Sequence, residues 1–310
     1  MSRPTDPVFK RVVYETLDGA VARITLNRPE KKNAQDLQML YDLDGAFRHA
    51  AADTGIKVII LAAAGDTFSS GHDIVSRGEQ GVENRPHVGL WLEFDAPGQE
   101  GMMAREWEVY LGLCERWRSL PKPTIAQVNG KCIAGGLMLA WACDLIVAEP
   151  DALFQDPVVT FGMCGAEFFM HPFELGVRRA KDWLFTSDWL TAEQAQAIGM
   201  VNRVFAKAAL AEETLALARR IALKPAFGLK MAKEALNQSQ DACGRRTAML
   251  QSFSIHQLCH SHWRSIYGIP VDPNGLPEVL RPNIYAYFGQ ESPTAAGEQQ
   301  EPAVRGKPQS

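Results

Sequence analysis

The chain has 310 residues, 46% of them hydrophobic and 22% charged, and its net charge is -4. That length supports one large domain, or one domain with a smaller appendage. The mild acidity argues against a nucleic-acid surface, and no apolar run approaches the roughly 20 residues of a membrane span.

The N-terminal MSRPTDPVFKRVVYET has no apolar leader core, so no secretory signal is expected. Val12–Thr16 and Val21–Asn27 are β-rich, and Asp18-Gly19 between them predicts a hairpin. Gln35–Ala51 has helical spacing through Leu37, Leu40, Leu43 and Phe47. Lys57–Ala62 reads as a buried strand that opens into GDTFSSGHDI, residues 65–74. Residues 75–102 are long for a connection without structure of its own. A helix is predicted from Met103 to Leu120, stopped by Pro121-Lys122-Pro123.

Val128–Leu145, VNGKCIAGGLMLAWACDL, is the stretch around which the chain is organised. It reads as strand end, turn, glycine corner at Gly135-Gly136, and buried helix. The first amides of a helix lack intrahelical partners and carry partial positive charge, so such a corner suits an oxyanion; close helix packing is the competing explanation.

Leu145–Ala148 and Leu153–Gln155 read as short strands, and Asp156–Pro172 as a loop or interrupted helix. From Phe173 to residue 290 the pattern is mostly helical. Thr191 and Gln194 form a capping box, and long helices are predicted at Ala208–Leu223, Ala226–Gln238 and Ala242–Trp263. The alternation predicts an α/β core at 1–205. A helical lid or oligomerisation region occupies 206–290, then a disordered tail 291–310. Six scattered cysteines without a CxxC pair suggest free thiols in a reducing cytoplasm.

Several of these segments together resemble the crotonase, or enoyl-CoA hydratase/isomerase, superfamily. They are ITLNRPEKKNA (24–34), FSSGHDI (68–74), VNGKCIAGGLMLAWACD (128–144) and LFTSDWLTAEQAQAIGMVNRV (184–204). The resemblance implies a spiral of ββα units with a helical C-terminal region, usually assembled as a trimer or a dimer of trimers. It implies an acyl-CoA thioester as substrate, with coenzyme A entering as part of that substrate and no separate cofactor or metal. The backbone amides of His72 and Gly135 would form the oxyanion hole. Arg28, Lys31, Lys32, Ser70, Gly71 and Gly136 would contact substrate or coenzyme A.

The sequence also departs from the hydratases of that family, which use two glutamates. Leu137 and Met138 come after Gly136, and Val158 stands at the second expected position; none can transfer a proton. Glu167, in GAEFF, is the remaining candidate acid or base. Its apolar neighbours predict a raised pKa, unless it pairs with Arg178 or Arg179. Asp156 reads as a turn or capping residue, and Asp73 as a brace for a following helix. The His72 side chain could turn into the pocket.

His256, His260 and His262 form an H-x3-H-x-H pattern; His256 and His260 could share a helix face and bind a metal, but no carboxylate or cysteine completes an obvious set, and a solvated or interface cluster is expected. Cys132 and Cys143 fit a core. His87, Trp91, Glu93 and Asp95 could shape an acyl pocket. Three functions are compatible with these residues. One is enoyl-CoA hydratase/isomerase-type chemistry through Glu167. Another is acyl-CoA decarboxylation or thioester hydrolysis, and the third is non-catalytic acyl-CoA binding.

Overall fold

The computed structural model describes residues 6–74, 85–89, 91 and 93–292. The first hairpin pairs β1 (Val12–Leu17) with β2 (Val21–Leu26) antiparallel. Its turn residues Asp18 and Gly19 are both left-handed, at φ 50° and 74°, a twist that suits flanking strands. Helix α1 (Leu37–Ala52) starts at Asp36, whose carboxylate accepts from the Met39 amide at 2.8 Å. That satisfies one of the open amides of the first turn.

The chain then spirals. β3 (Val58–Ala63), β5 (Thr124–Val128) and β7 (Leu145–Ala148) enter one sheet, while β4 (Thr67–Ser69), β6 (Lys131–Ile133) and β8 (Leu153–Gln155) enter another. With β9 (Leu190–Thr191) and β10 (Arg203–Val204), the sheets run β1-β2-β3-β5-β7-β10 and β4-β6-β8-β9. Each turn of the spiral thus gives one strand to each sheet. β3, β5 and β7 are parallel, as are β4, β6 and β8.

Between β4 and β5 run α2 (Gln99–Glu106), a π-helical turn (Trp107–Gly112) and α3 (Leu113–Arg118), in continuous succession. α4 (Gly135–Trp141) comes after β6 and is wholly buried. α5 (His171–Leu175) and α6 (Val177–Thr186) come after β8, and the Thr191 capping box opens α7 (Ala192–Ala197). The chain closes with α8 (Leu210–Ala222), α9 (Ala226–Ala242), α10 (Arg245–Tyr267) and α11 (Arg281–Tyr287).

Alternation along the large sheet separates two cores. Ile59 and Leu61 join the main core with Leu40, Leu43, Phe47 and Trp117. Val58 and Ile60 face the other way and, with Ile125 and Val147, bury Leu210, Leu217 and Ala218 of α8. α8 is thus the cover of the sheet's second face. α10 also enters the main core, through Met249 and Phe253. Most of the tail expected at 291–310 lies outside the described residues. The long 75–102 connection is part helical, since α2 begins at Gln99. All six cysteines are free thiols; Cys114 and Cys132 are buried, whereas Cys243 is exposed. Among the described residues, no helix is long and apolar enough to cross a membrane.

Candidate active site

The small sheet assembles the site. β4, β6 and β8 are parallel neighbours, so their C-terminal ends emerge side by side. β4 delivers Gly71 and His72, β6 delivers Gly135 and Gly136, and β8 delivers Asp156 and the loop to Glu167. Gly71 is left-handed at φ 93°, and a Cβ there would stand 3.2 Å from the Gly135 nitrogen. Ala134, the residue before α4, is forced to φ 46°, a strain of roughly 1–3 kcal/mol that such sites store. Neither the His72 nor the Gly135 amide donates to an acceptor among the described residues. The parallel bridge to Gln35 uses the Gly71 carbonyl and the Asp73 amide instead.

The two glycines are required by what lies over them. A Cβ on Gly135 would meet the His72 ring at 2.7 Å; one on Gly136 would meet the Ser69 carbonyl oxygen, also at 2.7 Å. The His72 side chain therefore lies across the glycine corner. Its ring stacks on Tyr110, centroids 3.6 Å apart and planes at 17°. Its Nε2 stands 3.1 Å from Glu167 Oε2. The π-helical turn carries Tyr110 into this position, one of the local functional uses of such turns.

Glu167 is buried at 5% exposure. Its Oε1 lies 3.5 Å from His256 Nε2. Arg178 and Arg179 are exposed on α6, and the groups facing Glu167 are His72 and His256. Burial pushes the carboxyl upward, but the two histidines and the His72 hydrogen bond outweigh it and hold the pKa at about 2. The raised pKa expected from the apolar neighbours is thus corrected: aromatic residues flank Glu167 in sequence, whereas histidines face it in space. Asp156 accepts from the Ala166 amide at 3.0 Å and meets His171 Nε2 at 2.8 Å. It holds the Glu167 loop in place, as its reading as a turn residue anticipated.

Leu137, Met138 and Val158 are buried, so the two positions expected to carry the hydratase glutamates contribute apolar wall. Arg28, expected near phosphate, instead turns inward. It is 5% exposed and donates to Asp73 at 2.7 Å and to the Ala34 carbonyl at 3.0 Å. It braces the Gly71–Asp73 turn, and Asp73 serves that brace. Lys31 is exposed and Lys32 is tied to Asp66 at 2.9 Å. The Ser70 amide donates to the Lys32 carbonyl, which links this loop to β4.

His256 and His260 are 4% and 5% exposed, so the solvated cluster expected of them is also corrected; only His262 is exposed. They face Glu106, which is equally buried. Glu106 and Tyr110 were missed in the sequence. The available signal was their place on the face set by Met103, Leu113 and Trp117, where a charge is out of pattern. Glu108 on the same helix caps the Val88 and Gly89 amides at 2.7 and 2.9 Å. His87 lies beside Glu108, Trp91 stacks on Trp107, and Asp95 pairs with Arg105.

Two largely parallel sheets in a spiral bring together a pair of open amides at a glycine corner and the buried carboxylate of Glu167. The sequence pattern of the enoyl-CoA hydratase/isomerase family matches residues 16–264, and the chain belongs to that family. Mycobacterium tuberculosis EchA13, which carries an enoyl-CoA hydratase name, is 45% identical over 268 residues, 84% of each chain. A Mycobacterium smegmatis crystal structure with the same kind of name matches at TM-score 0.76 and 45% identity, covering 84% of this chain and 98% of that one. The 1,2-epoxyphenylacetyl-CoA isomerase of Escherichia coli K12 is 30% identical, covering 74% of this chain and 82% of that one. The protein is an enzyme of enoyl-CoA hydratase/isomerase type.

Proposed function

We propose that the enzyme relocates a proton on an enoyl-CoA-type thioester, with Glu167 as the single acid/base group. The observation that carries this reading is the placement of Glu167 against His72, whose ring covers Gly135, while positions 137, 138 and 158 are apolar. In this reading the thioester oxygen accepts the His72 and Gly135 amides, each donor contributing on the order of 3–4 kcal/mol to the transition state. The ionised Glu167 takes a proton from carbon, the electron pair moves onto the thioester oxygen as an enolate, and the carboxylic acid returns the proton to another carbon. One carboxylate suffices for that sequence, whereas two-glutamate hydration needs a second. Gly71 and Gly136 give the substrate close approach to the backbone, Lys31 and Lys32 lie on the loop proposed for coenzyme A, and Ser70, at the end of β4, is bonded to that loop through its amide. Coenzyme A enters as part of the substrate, and the reaction needs no redox or group-transfer cofactor.

Glu167→Gln should lower kcat by on the order of 10²–10⁴-fold while acyl-CoA binding stays nearly unchanged. Unaltered kinetics would remove Glu167 from the mechanism. Mass spectrometry of products from a panel of acyl-CoA thioesters separates the chemistries. Double-bond migration supports the proposal; water addition, loss of carbon dioxide or free coenzyme A would each replace it.

A cytoplasmic homotrimer, or a dimer of trimers, is part of the same proposal. α9 presents Phe227 and Met231, four residues apart on one face, to solvent at 73% and 39% exposure, an apolar stripe that a second copy would cover. Sedimentation of a monomer at working concentration would contradict it.

A further inference from the structure

Glu106 on α2 and His256 and His260 on α10 converge in the interior, their ligand atoms all within 4.8 Å of one another. The two histidines are four residues apart and so share a helix face. Each is oriented from behind. His256 Nδ1 lies 2.8 Å from the Gly165 carbonyl, and His260 Nδ1 lies 2.6 Å from the Pro270 carbonyl. A carbonyl only accepts, so each Nδ1 carries the hydrogen and each Nε2 points at the cluster. A carbonyl behind the ring in this way fixes the tautomer and orientation of a metal-binding histidine.

The two Nε2 atoms face the Glu106 carboxylate. His260 Nε2 is 3.3 Å from Glu106 Oε1, and His256 Nε2 is 4.0 Å from Glu106 Oε2. Neither Nε2 makes a hydrogen bond, although both are buried beside a carboxylate. In their neutral form the two Nε2 atoms and the Glu106 carboxylate make a three-donor set that one cation would satisfy. Gln257 donates to Glu106 Oε2 at 2.6 Å, and Gln99 donates to Gln257 at 2.6 Å, so the carboxylate too is held from behind.

We propose that Glu106, His256 and His260 bind one divalent transition-metal ion, zinc first among them. Two imidazoles and one carboxylate form a donor set suited to zinc, which prefers ligands at roughly 2.0–2.2 Å. Glu167 lies next to this cluster, its Oε1 3.5 Å from His256 Nε2. The ion ties α10 to α2 and sets the wall against which Glu167 rests. This site goes beyond the proton-transfer proposal and does not depend on it.

The test is metal binding by the full-length protein. After chelation, reloading with zinc and dialysis, the protein should retain one zinc per chain through gel filtration. Cobalt(II) in its place should give visible d–d absorption without the near-ultraviolet band of a thiolate ligand, which excludes the neighbouring Cys259. His260→Gln and Glu106→Gln should each weaken zinc by more than the roughly 10–100-fold that loss of an outer partner costs. The proposal is overturned if no stoichiometric zinc or cobalt is retained, if retention survives both substitutions, or if the cobalt spectrum shows thiolate ligation. Should a variant fail to fold, the stoichiometry and cobalt spectrum of the unmutated protein still decide.

Discussion

Gly135 and Gly136 stand next to each other and are glycine for different reasons. A Cβ at Gly135 meets a side chain, the His72 ring, whereas a Cβ at Gly136 meets main chain at the Ser69 carbonyl. A ring can turn away; a strand held by β4–β6 pairing cannot. Gly135→Ala should therefore leave stability little changed but displace His72 from Glu167 and lower kcat. Gly136→Ala should cost roughly 1–3 kcal/mol of stability, the range for forcing atoms into a packed site. Urea unfolding and steady-state kinetics of both variants check the contrast. Equal destabilisation by both would mean that the His72 ring is as fixed as the backbone. Arg28 is another residue whose role is set by its immediate contacts. Its charge in a turn reads as a phosphate contact, but its 2.7 Å bond to Asp73 uses that charge inside the protein.

Among the elements, the short α5 carries a titration that bears on stability. Burial pushes the Glu174 carboxyl up to about 7, against a partial opposing pull from Arg118. A raised acid favours the protonated folded state. Its contribution is fully present below the ordinary carboxylate range and is lost as pH rises through about 7. Glu174→Gln removes that loss, so the variant should gain on the wild type as pH rises. Urea midpoints at about pH 5 and about pH 8 measure it; a constant difference between the two proteins would place Glu174 in an ordinary solvated setting. The helix Gln99–Arg118 shows what element boundaries conceal. Its sequence reads as one amphipathic helix, but the π-helical turn inside it brings Tyr110 beneath His72.

Across the whole molecule, the elements were legible where local pattern decides them. The β1–β2 hairpin, β7, β8, the Thr191 cap and the glycine corner all rest on residues within a few positions of one another. The charge state of Glu167 was not legible, because it depends on His72, 95 residues away, and on His256. Glu106 could not complete the histidine pattern on paper for the same reason. Helical periodicity in 206–290 likewise shows that helices form, not what they cover. α8 buries Leu210, Thr214, Leu217, Ala218 and Ala222, chiefly against Val58, Ile60, Ile125 and Val147 of the large sheet. Its two buried leucines alone are worth about 1.5–3 kcal/mol each, comparable in sum with much of the roughly 5–15 kcal/mol net stability of a folded protein. Removing α8 also exposes the sheet's own apolar side chains to water. A chain ended after residue 205 should therefore lose cooperative urea unfolding and near-ultraviolet dichroism. A sharp transition in that shortened chain would show that the sheet folds without its second cover and would support residue 205 as a domain boundary.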